Sequence, residues 1–176
     1  MAELIAAGEV VERPASIVKE LIENAIDAGA TRIQVEIKNG GVRYIRVTDN
    51  GCGIPFEEMP TAFLRHATSK VVTAEDLNAI MTLGFRGEAL SSIAAMCKVE
   101  LLSRKPEQDM GGRYQIEGGE VLLHEPAGGP IGTTLVVRDI FYNTPARMKF
   151  LKRDLTEAAA VTQTVERLAL IHASVG

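Results

Sequence analysis

The strongest constraint on the fold comes from alternating segments that are joined by glycine turns. Apolar and polar residues alternate over 33–38, Asn39-Gly40-Gly41 follows, and the return segment covers 42–48. Asparagine followed by glycine is a common signal for the tight turn of a hairpin. These signals predict a mainly antiparallel sheet. Further strands are predicted over 99–103, 113–117, 120–124 and 133–138, with a second hairpin turn at Gly118-Gly119.

Helical periodicity separates the strand-rich parts of the chain. Pro14 precedes a run in which apolar residues recur every three or four positions as far as Ile26. Proline suits the first position of a helix, and Gly29 is a suitable C-cap. Helices packed on a mainly antiparallel sheet predict an α+β two-layer sandwich with the helices on one face. Further helices are predicted over 57–67, 76–82, 88–96 and 155–173.

The composition limits the class of protein. The 176 residues are 46% hydrophobic and 24% charged, as in one globular domain with its own core. No apolar run approaches the roughly 20 residues that span a bilayer, and the N-terminal segment has no signal-peptide pattern. Two cysteines, Cys52 and Cys97, cannot form a disulfide framework or a four-ligand zinc site, so a cytoplasmic location is expected. A net charge of −4 does not indicate a dedicated nucleic-acid-binding module.

One predicted helix carries a polar stripe suited to phosphate chemistry. Glu20, Asn24 and Asp27 are spaced i, i+4 and i+7, so they share one helix face. A carboxylate can orient and deprotonate a water molecule. The asparagine oxygen is a neutral ligand of the kind that Mg²⁺ accepts, and it adds no repulsion beside a triphosphate. Taken alone, the stripe is better explained as a solvated helix surface.

A glycine-rich loop after the second strand is suited to a purine base. Asp49 begins the segment Asp49-Asn50-Gly51-Cys52-Gly53. An ionised aspartate only accepts hydrogen bonds, and adenine donates from an amine where guanine carries a carbonyl oxygen. A buried Asp49 would therefore favour adenine, and Gly51 and Gly53 would let a ligand approach closely. Taken alone, the loop is better explained as an ordinary turn capped by the aspartate.

A second glycine-rich segment, over 128–134, leads into the last predicted strand. It ends in Thr133 and Thr134, and a threonine hydroxyl both donates and accepts hydrogen bonds. A threonine here can serve the acceptor on the adenine edge that Asp49 cannot serve. Because threonine is common in strands, this signal is weak by itself.

Two further segments are candidates for contacts with phosphate. The turn at Gly84-Phe85-Arg86-Gly87-Glu88 opens a predicted helix, whose free N–H groups can bind phosphate, and Lys70 can add charge. The alternative is a simple capping turn, and neither a Walker A loop nor a Rossmann fingerprint is present. A basic cluster near the end of the chain is a candidate contact for the DNA backbone, although most such clusters are solvated surfaces. Its members are Arg147, Lys149, Lys152 and Arg153.

Taken together, the motifs resemble the MutL mismatch-repair family over nearly the whole chain. The matching segments are 5–14, 20–30, 49–54, 66–70, 84–90 and 141–147, in this order. The family belongs to the GHKL ATPases, with gyrase-type topoisomerases, heat-shock chaperones and histidine kinases. The resemblance implies the Bergerat α/β sandwich for residues 1–176, as an ATP-binding domain at the N-terminal end of a longer protein.

The resemblance also implies roles for individual residues. Glu20 corresponds to the general base, Asn24 to the Mg²⁺ ligand, and Asp49 to the adenine reader, supported by Gly51, Gly53 and Thr134. The phosphate-contacting lid corresponds to Thr68, Ser69, Lys70, Gly84, Phe85, Arg86, Gly87, Glu88, Ala89 and Leu90.

The partners implied by the resemblance are ATP, a MutS-type mismatch recognition protein, DNA and, in the full-length protein, a second copy of the chain. In this family the lid orders when ATP binds, and the ordered form dimerises. The location expected is the cytoplasm, with the nucleoid in a bacterium. The sequence starts later than usual for the family and stops before the second domain, which supplies a lysine to the γ-phosphate. We therefore expect ATP binding with weak hydrolysis and weak dimerisation.

Three alternatives remain open from the sequence. They are another GHKL ATPase, a histidine kinase, and an interaction module that binds a nucleotide without hydrolysing it. A kinase of this superfamily needs no water-activating residue at the position of Glu20 and carries a phospho-acceptor helix, which is not evident here. Loss of hydrolysis with retained binding on substitution of Glu20 would separate an ATPase from a binding module.

Overall fold

The computed structural model describes residues 11–64 and 88–176. A 3-10 turn at Asn39–Gly41 joins the first two strands, and another at Phe56–Glu58 precedes the second helix. The helices are α1 (Pro14–Asp27), α2 (Met59–Ala62), α3 (Ala89–Met96), α4 (Pro145–Met148) and α5 (Asp154–Ile171). The strands are β1 (Ile33–Lys38), β2 (Tyr44–Asp49), β3 (Lys98–Arg104), β4 (Gly111–Glu117), β5 (Glu120–Ala127) and β6 (Gly132–Arg138).

All six predicted strands are confirmed, with small shifts at their ends. The helix predicted over 57–67 is a 3-10 turn followed by the short α2, and its last residues lie outside the described part of the chain. The helix predicted over 76–82 and the turn predicted over 84–87 also lie outside it.

The six strands form one antiparallel sheet in the order β1-β2-β6-β3-β4-β5. The last strand in the chain therefore lies between β2 and β3. Its register places Thr133 opposite both Asp49 of β2 and Ser103 of β3. This insertion brings three distant parts of the sequence together at one end of the sheet.

The helices cover one face of the sheet, as predicted. Side chains directly opposite each other in an antiparallel pair share a face, and the register places the buried apolar residues of the central strands on the same side. They pack with residues of α1, α3 and α5 in a single core cluster. The strand residues of this cluster are Ile45, Val47, Val99, Leu101, Tyr114, Ile116, Leu135 and Val137.

Helix α1 ends in a glycine turn that sends the chain back towards the sheet. Ala28 is the C-cap, and Gly29 follows with φ of 75°. The Gly29 N–H donates to the Ile26 carbonyl at 3.0 Å, and the Ala30 N–H donates to Ala25 at 3.1 Å. This is the Schellman arrangement, in which the left-handed residue follows the cap. Gly29 thus forms the turn after the cap rather than the cap itself.

Helix α5 is anchored by a buried carboxylate. Glu157 is 2% exposed, and Arg13 approaches it with Nε at 3.1 Å and a terminal nitrogen at 3.0 Å. The Lys152 N–H donates to its other oxygen at 2.9 Å. A Cβ on Gly40 would lie 2.6 Å from the Asp154 carbonyl oxygen and 3.0 Å from the Glu157 Cβ, so only glycine permits this close approach. Glu157 therefore joins α5, the start of α1 and the first hairpin.

Replacing Glu157 with glutamine should lower the free energy of unfolding by about 1–3 kcal/mol. The amide keeps an acceptor but leaves the Arg13 charge without its buried partner. Chemical denaturation monitored by circular dichroism measures the loss. Glu166→Gln, at an exposed position of the same helix, is the control and should change stability by less than about 0.5 kcal/mol. Equal effects of the two substitutions would contradict the anchoring role.

Candidate functional site

The centre of the candidate site is the carboxylate of Asp49, at the last residue of β2. It lies on the helix-covered face, directly opposite Thr133 of β6. The Gly51 N–H donates to Asp49 Oδ1 at 2.8 Å, and the Thr133 backbone N–H also donates to the carboxylate. The side chain is therefore held by two backbone groups rather than by a basic partner.

Burial raises the pKa of Asp49 above the ordinary aspartate value, and the N–H bonds from Gly51 and Thr133 only partly offset that effect. The ionised form thus carries a cost that a ligand can relieve by donating a hydrogen bond. An acceptor-only carboxylate at the end of a strand is suited to an amine such as that of adenine.

Beside Asp49 lies a buried hydroxyl network. Ser103, 5% exposed, accepts a hydrogen bond from the Ile54 N–H at 2.7 Å. Its oxygen lies 2.9 Å from the Gly132 carbonyl, to which it donates, and 2.8 Å from the Thr133 hydroxyl. Ser103 thus ties the loop after β2 to the loop before β6. Sequence analysis did not identify Ser103 as a site residue, and it could not choose between Thr133 and Thr134 from the residues alone, because only the register of β6 with its neighbours places these side chains.

The sheet register separates Thr134, the sequence-based choice, from its neighbour Thr133. Thr134 lies opposite Thr48, and the two hydroxyl oxygens are 3.2 Å apart on the face away from the helices. Successive residues of a strand point to opposite faces, so Thr133 and Thr134 cannot both face Asp49. The hydroxyl on the side of Asp49 belongs to Thr133.

Gly51 and Gly53 allow the loop after β2 to pack closely on its neighbours. A Cβ on Gly51 would lie 2.8 Å from the Ala28 Cβ and 3.0 Å from Asp49 Oδ1. Gly53 has φ of 72° and packs on the backbone of Arg104. Both glycines therefore have a structural reason for lacking a side chain, and their contact with a ligand stays a prediction.

The same packing aligns α1 with Asp49. The Cys52 N–H donates to the Ala28 carbonyl at 2.9 Å, which fixes the end of α1 on the loop. Glu20, Asn24 and Ala28 follow one another at intervals of four residues and so form one row along the helix. The row ends at Ala28, beside Gly51 and Asp49, so Glu20 and Asn24 lie on the helix side that leads to the carboxylate. Asp27, the third residue of the predicted stripe, is exposed at the end of α1.

The environment of Glu20 is polar and partly exposed. Its side chain is 20% exposed and lies 3.8 Å from the Lys19 ammonium group. Lys19 makes its closer ion pair, at 3.1 Å, with Glu23. Asn24 is half-buried one turn further along. The helix thus offers a carboxylate and a neutral amide on adjacent turns.

A cavity of about 120 Å³ lies next to Asp49, between the sheet end and the loop before β6. Its polar lining includes Asp49, Ser103, Thr133 and Thr134, and the glycine-rich segment 128–132 forms its rim. A complete ligand pocket is usually several times larger, roughly 300–1,000 Å³. The cavity therefore corresponds to one end of a ligand such as a nucleotide.

Most of the predicted phosphate-contacting residues lie outside the described part of the chain: Thr68, Ser69, Lys70, Gly84, Phe85, Arg86 and Gly87. Of the remaining three, Glu88 is the N-cap residue of α3, and Ala89 and Leu90 form its first turn. The side chains of Ala89 and Leu90 are buried in the core, so any contact with a ligand would be made by backbone groups.

The basic cluster lies on α4 and the segment before α5. Lys149, Lys152 and Arg153 are exposed, and Arg147 is half-buried. Within residues 11–64 and 88–176, no three histidine, cysteine or acidic side chains are grouped as a metal site. In the same ranges, no helix is both long and apolar enough to cross a membrane.

The raised pKa of Asp49 predicts a pH-dependent stability difference between the protein and Asp49→Asn. The folded state binds the proton more tightly than the unfolded state, so Asp49 lowers stability once the pH exceeds its raised pKa. As the pH falls through that pKa, the difference in unfolding free energy should move in favour of the unsubstituted protein. Urea denaturation of both proteins at neutral pH and near the ordinary aspartate pKa measures this change. A difference that does not vary with pH would contradict the burial argument.

Comparison with known proteins places this geometry in a family. Residues 9–138 match the family described as histidine kinase-, DNA gyrase B- and HSP90-like ATPase. Among curated proteins, the chain is 58% identical over 168 residues to the DNA mismatch repair protein MutL of Agathobacter rectalis. It is 53% identical over 171 residues to MutL of Haemophilus influenzae strain PittEE. These alignments cover 96% and 97% of the chain but only 26% and 27% of the relatives, so the chain spans about a quarter of their length.

Solved structures agree with this placement. The ATPase domain of Aquifex aeolicus MutL, complexed with ADP, is 36% identical and superposes with a TM-score of 0.73. That match covers 94% of the chain and 58% of the solved one. The N-terminal domain of a DNA repair protein is 29% identical, with a TM-score of 0.82, covering 99% of the chain and 50% of that domain. The resemblance to MutL ATPase domains is thereby confirmed, and the chain belongs to the histidine kinase-, DNA gyrase B- and HSP90-like ATPase family.

Proposed function

We propose that the chain is the ATP-binding and ATP-hydrolysing domain of a MutL-type protein of DNA mismatch repair. The observation that carries this proposal is the contact of Ala28 with Gly51. This contact joins the row of Glu20 and Asn24 to the carboxylate of Asp49. A nucleotide bound with its base at Asp49 would extend its phosphates towards α1. The solved relative that holds ADP supports the same ligand class.

Adenine recognition is assigned to Asp49 and Thr133. Asp49 accepts from the exocyclic amine, and the Thr133 hydroxyl donates to the adjacent ring nitrogen. For the Thr133 proton to be available to the ring nitrogen, Ser103, 2.8 Å away, would donate its single proton to the Thr133 oxygen instead of to the Gly132 carbonyl. Guanine would place a carbonyl oxygen against the Asp49 carboxylate, so its binding is disfavoured.

Hydrolysis is assigned to Glu20, which would orient a water molecule for attack on the terminal phosphate and accept its proton. Asn24 fits a Mg²⁺ ion that keeps most of its ligands from phosphate and water, since the described residues form no closed acidic cage. When bound, this ion would neutralise charge that develops on the phosphates. The role of the protein is then to hold a base and a neutral amide on one rigid helix.

Control of the domain is assigned to the lid residues at 68–70 and 84–90. They would contact the phosphates, so that ATP orders the lid and favours a homodimer of the longer protein. The proposed partners of that protein are a MutS-type recognition protein and DNA, and its proposed location is the cytoplasm. DNA contact is assigned to the basic cluster of Arg147, Lys149, Lys152 and Arg153, three of which are exposed.

Substituting each tandem threonine with valine should distinguish the two hydroxyls. Thr133→Val removes the donor beside Asp49 and should weaken ADP binding about tenfold. Thr134→Val is the matched control, since its hydroxyl bonds to Thr48 on the far face, and it should change affinity by less than about twofold. Isothermal titration calorimetry measures both. Equal losses, or a larger loss for Thr134→Val, would refute the adenine assignment.

Glu20→Gln should abolish hydrolysis while preserving nucleotide binding. The amide has the same shape but cannot accept a proton, so phosphate release should fall by about 10²–10⁴-fold in single-turnover assays. Glu23→Gln is the control, because Glu23 shares the Lys19 ion pairs but lies off the row of Glu20 and Asn24. Unimpaired phosphate release by Glu20→Gln would exclude Glu20 as the base. Loss of ADP binding instead of hydrolysis would assign it a binding role.

A further inference from the structure

The face of the sheet that the helices leave uncovered carries a mainly basic row of residues, which crosses four strands at one end of the sheet. Lys38, Tyr44, Arg138 and Lys98 lie opposite one another on four adjacent strands, β1, β2, β6 and β3. Neighbouring strands are about 4.8 Å apart, so these four residues, here called the basic row, run straight across the sheet. Lys38 and Arg138 are exposed, and the Lys98 side chain is 36% exposed.

The basic row differs from the next row on the same face. There, Arg46 is paired with Glu36 at 2.7 Å, and Glu100 is paired at 2.7 Å with Arg113, which lies one row further along, opposite Leu102. The charges therefore cancel locally. Within the described part of the chain, no carboxylate lies at ion-pair distance from Lys38 or Arg138.

Acidic residues also lie near the β3 end of the basic row, but they leave a positive balance. Asp139 is shared between Lys98 at 3.2 Å and the exposed Arg43 at 3.3 Å, and Glu117 lies opposite Lys98. Glu120 lies opposite Glu117 and continues the row, so with Lys38 and Arg138 added, four cations face three carboxylates.

The tyrosine of the basic row is covered by its neighbours. The Lys38 ammonium lies 4.9 Å from the centre of the Tyr44 ring, and the Arg138 guanidinium lies 5.5 Å from it. These cation–π contacts hold the two charged groups in place on the face. They also occupy the ring, so Tyr44 is not a platform on which the bases of a single strand could stack.

The row adjoins the basic cluster before α5. Asn39, next to Lys38, donates from Nδ2 to Asp154 at 3.3 Å, and Asp154 follows Arg153. The end of β1 that carries Lys38 and the start of α5, next to Lys152 and Arg153, therefore meet at the hydrogen bond between Asn39 and Asp154. The chain as a whole has a net charge of −4, so this positive end is a marked asymmetry.

We propose that the basic row extends the basic cluster into a surface that binds the phosphate backbone of duplex DNA. This proposal rests on the DNA contact in the proposed function and adds residues that the sequence motifs did not indicate. Within the basic row the ring of Tyr44 is covered by cations, which favours duplex phosphates over single-stranded bases as the ligand of the row. Tyr44 of the basic row is the first residue of β2, and Asp49 is its last. Roughly 17 Å of strand therefore separates the two ligands. DNA and nucleotide can therefore bind at the same time.

The test is the salt dependence of duplex binding by the whole chain, measured by fluorescence anisotropy between about 50 and 200 mM salt. Each lost phosphate contact lowers the slope of log affinity against log salt by about 0.9, so Lys38→Gln with Arg138→Gln should lower it by about 1.8. Arg46→Gln is the matched control on the same face, and it should leave the slope unchanged because Glu36 already neutralises Arg46. Saturating ADP should change duplex affinity by less than about twofold.

Several results would overturn the proposal. An unchanged slope for the double variant, alongside a reduced slope for Lys149→Gln with Arg153→Gln, would restrict DNA to the basic cluster and leave the proposed function intact. Tighter binding of single-stranded DNA, or displacement of the duplex by ADP, would also refute it.

Absence of duplex binding by the unsubstituted chain would remove both DNA assignments, whereas failure to bind ADP would instead refute the nucleotide site. ADP affinity and thermal unfolding verify that each variant is folded, and the two single variants replace the double one if it is not.

Discussion

The close contact between the end of α1 and the loop after β2 is the constraint on which the candidate site depends. Gly51 lies against Ala28, and the Cys52 N–H donates to the Ala28 carbonyl at 2.9 Å. Because Ala28 continues the row of Glu20 and Asn24, this contact fixes the distance and direction from the helix to Asp49. A side chain at position 51 would separate the two halves of the site.

The insertion of β6 between β2 and β3 supplies the other half. Thr133 lies opposite Asp49 on one side and Ser103 on the other. The carboxylate is therefore buried among backbone N–H groups and hydroxyls, with its pKa raised by burial. A site of this kind recognises a hydrogen-bond donor without using a basic residue, which suits a neutral purine base.

The two proposed ligands are separated along the strands. The nucleotide end of the sheet carries Asp49 and the glycine loops, and the opposite end carries the basic row and the start of α5. The buried Glu157 holds α5 against the first hairpin and so keeps the basic cluster next to the row. The fold thereby gives one small domain two chemically different surfaces.

The sequence by itself determined the elements and most of the chemistry. Period-two alternation and glycine turns gave the antiparallel strands, and the i, i+4 spacing of Glu20 and Asn24 placed them on one helix side, because both patterns depend only on local geometry. Only the tertiary structure separates Thr133 from Thr134. These neighbours are chemically identical, and only the register of β6 against β2 selects the face of each. The tertiary structure alone also brings together the Ser103 network and the basic row, because their members come from strands that are distant in the chain and adjacent only in the sheet.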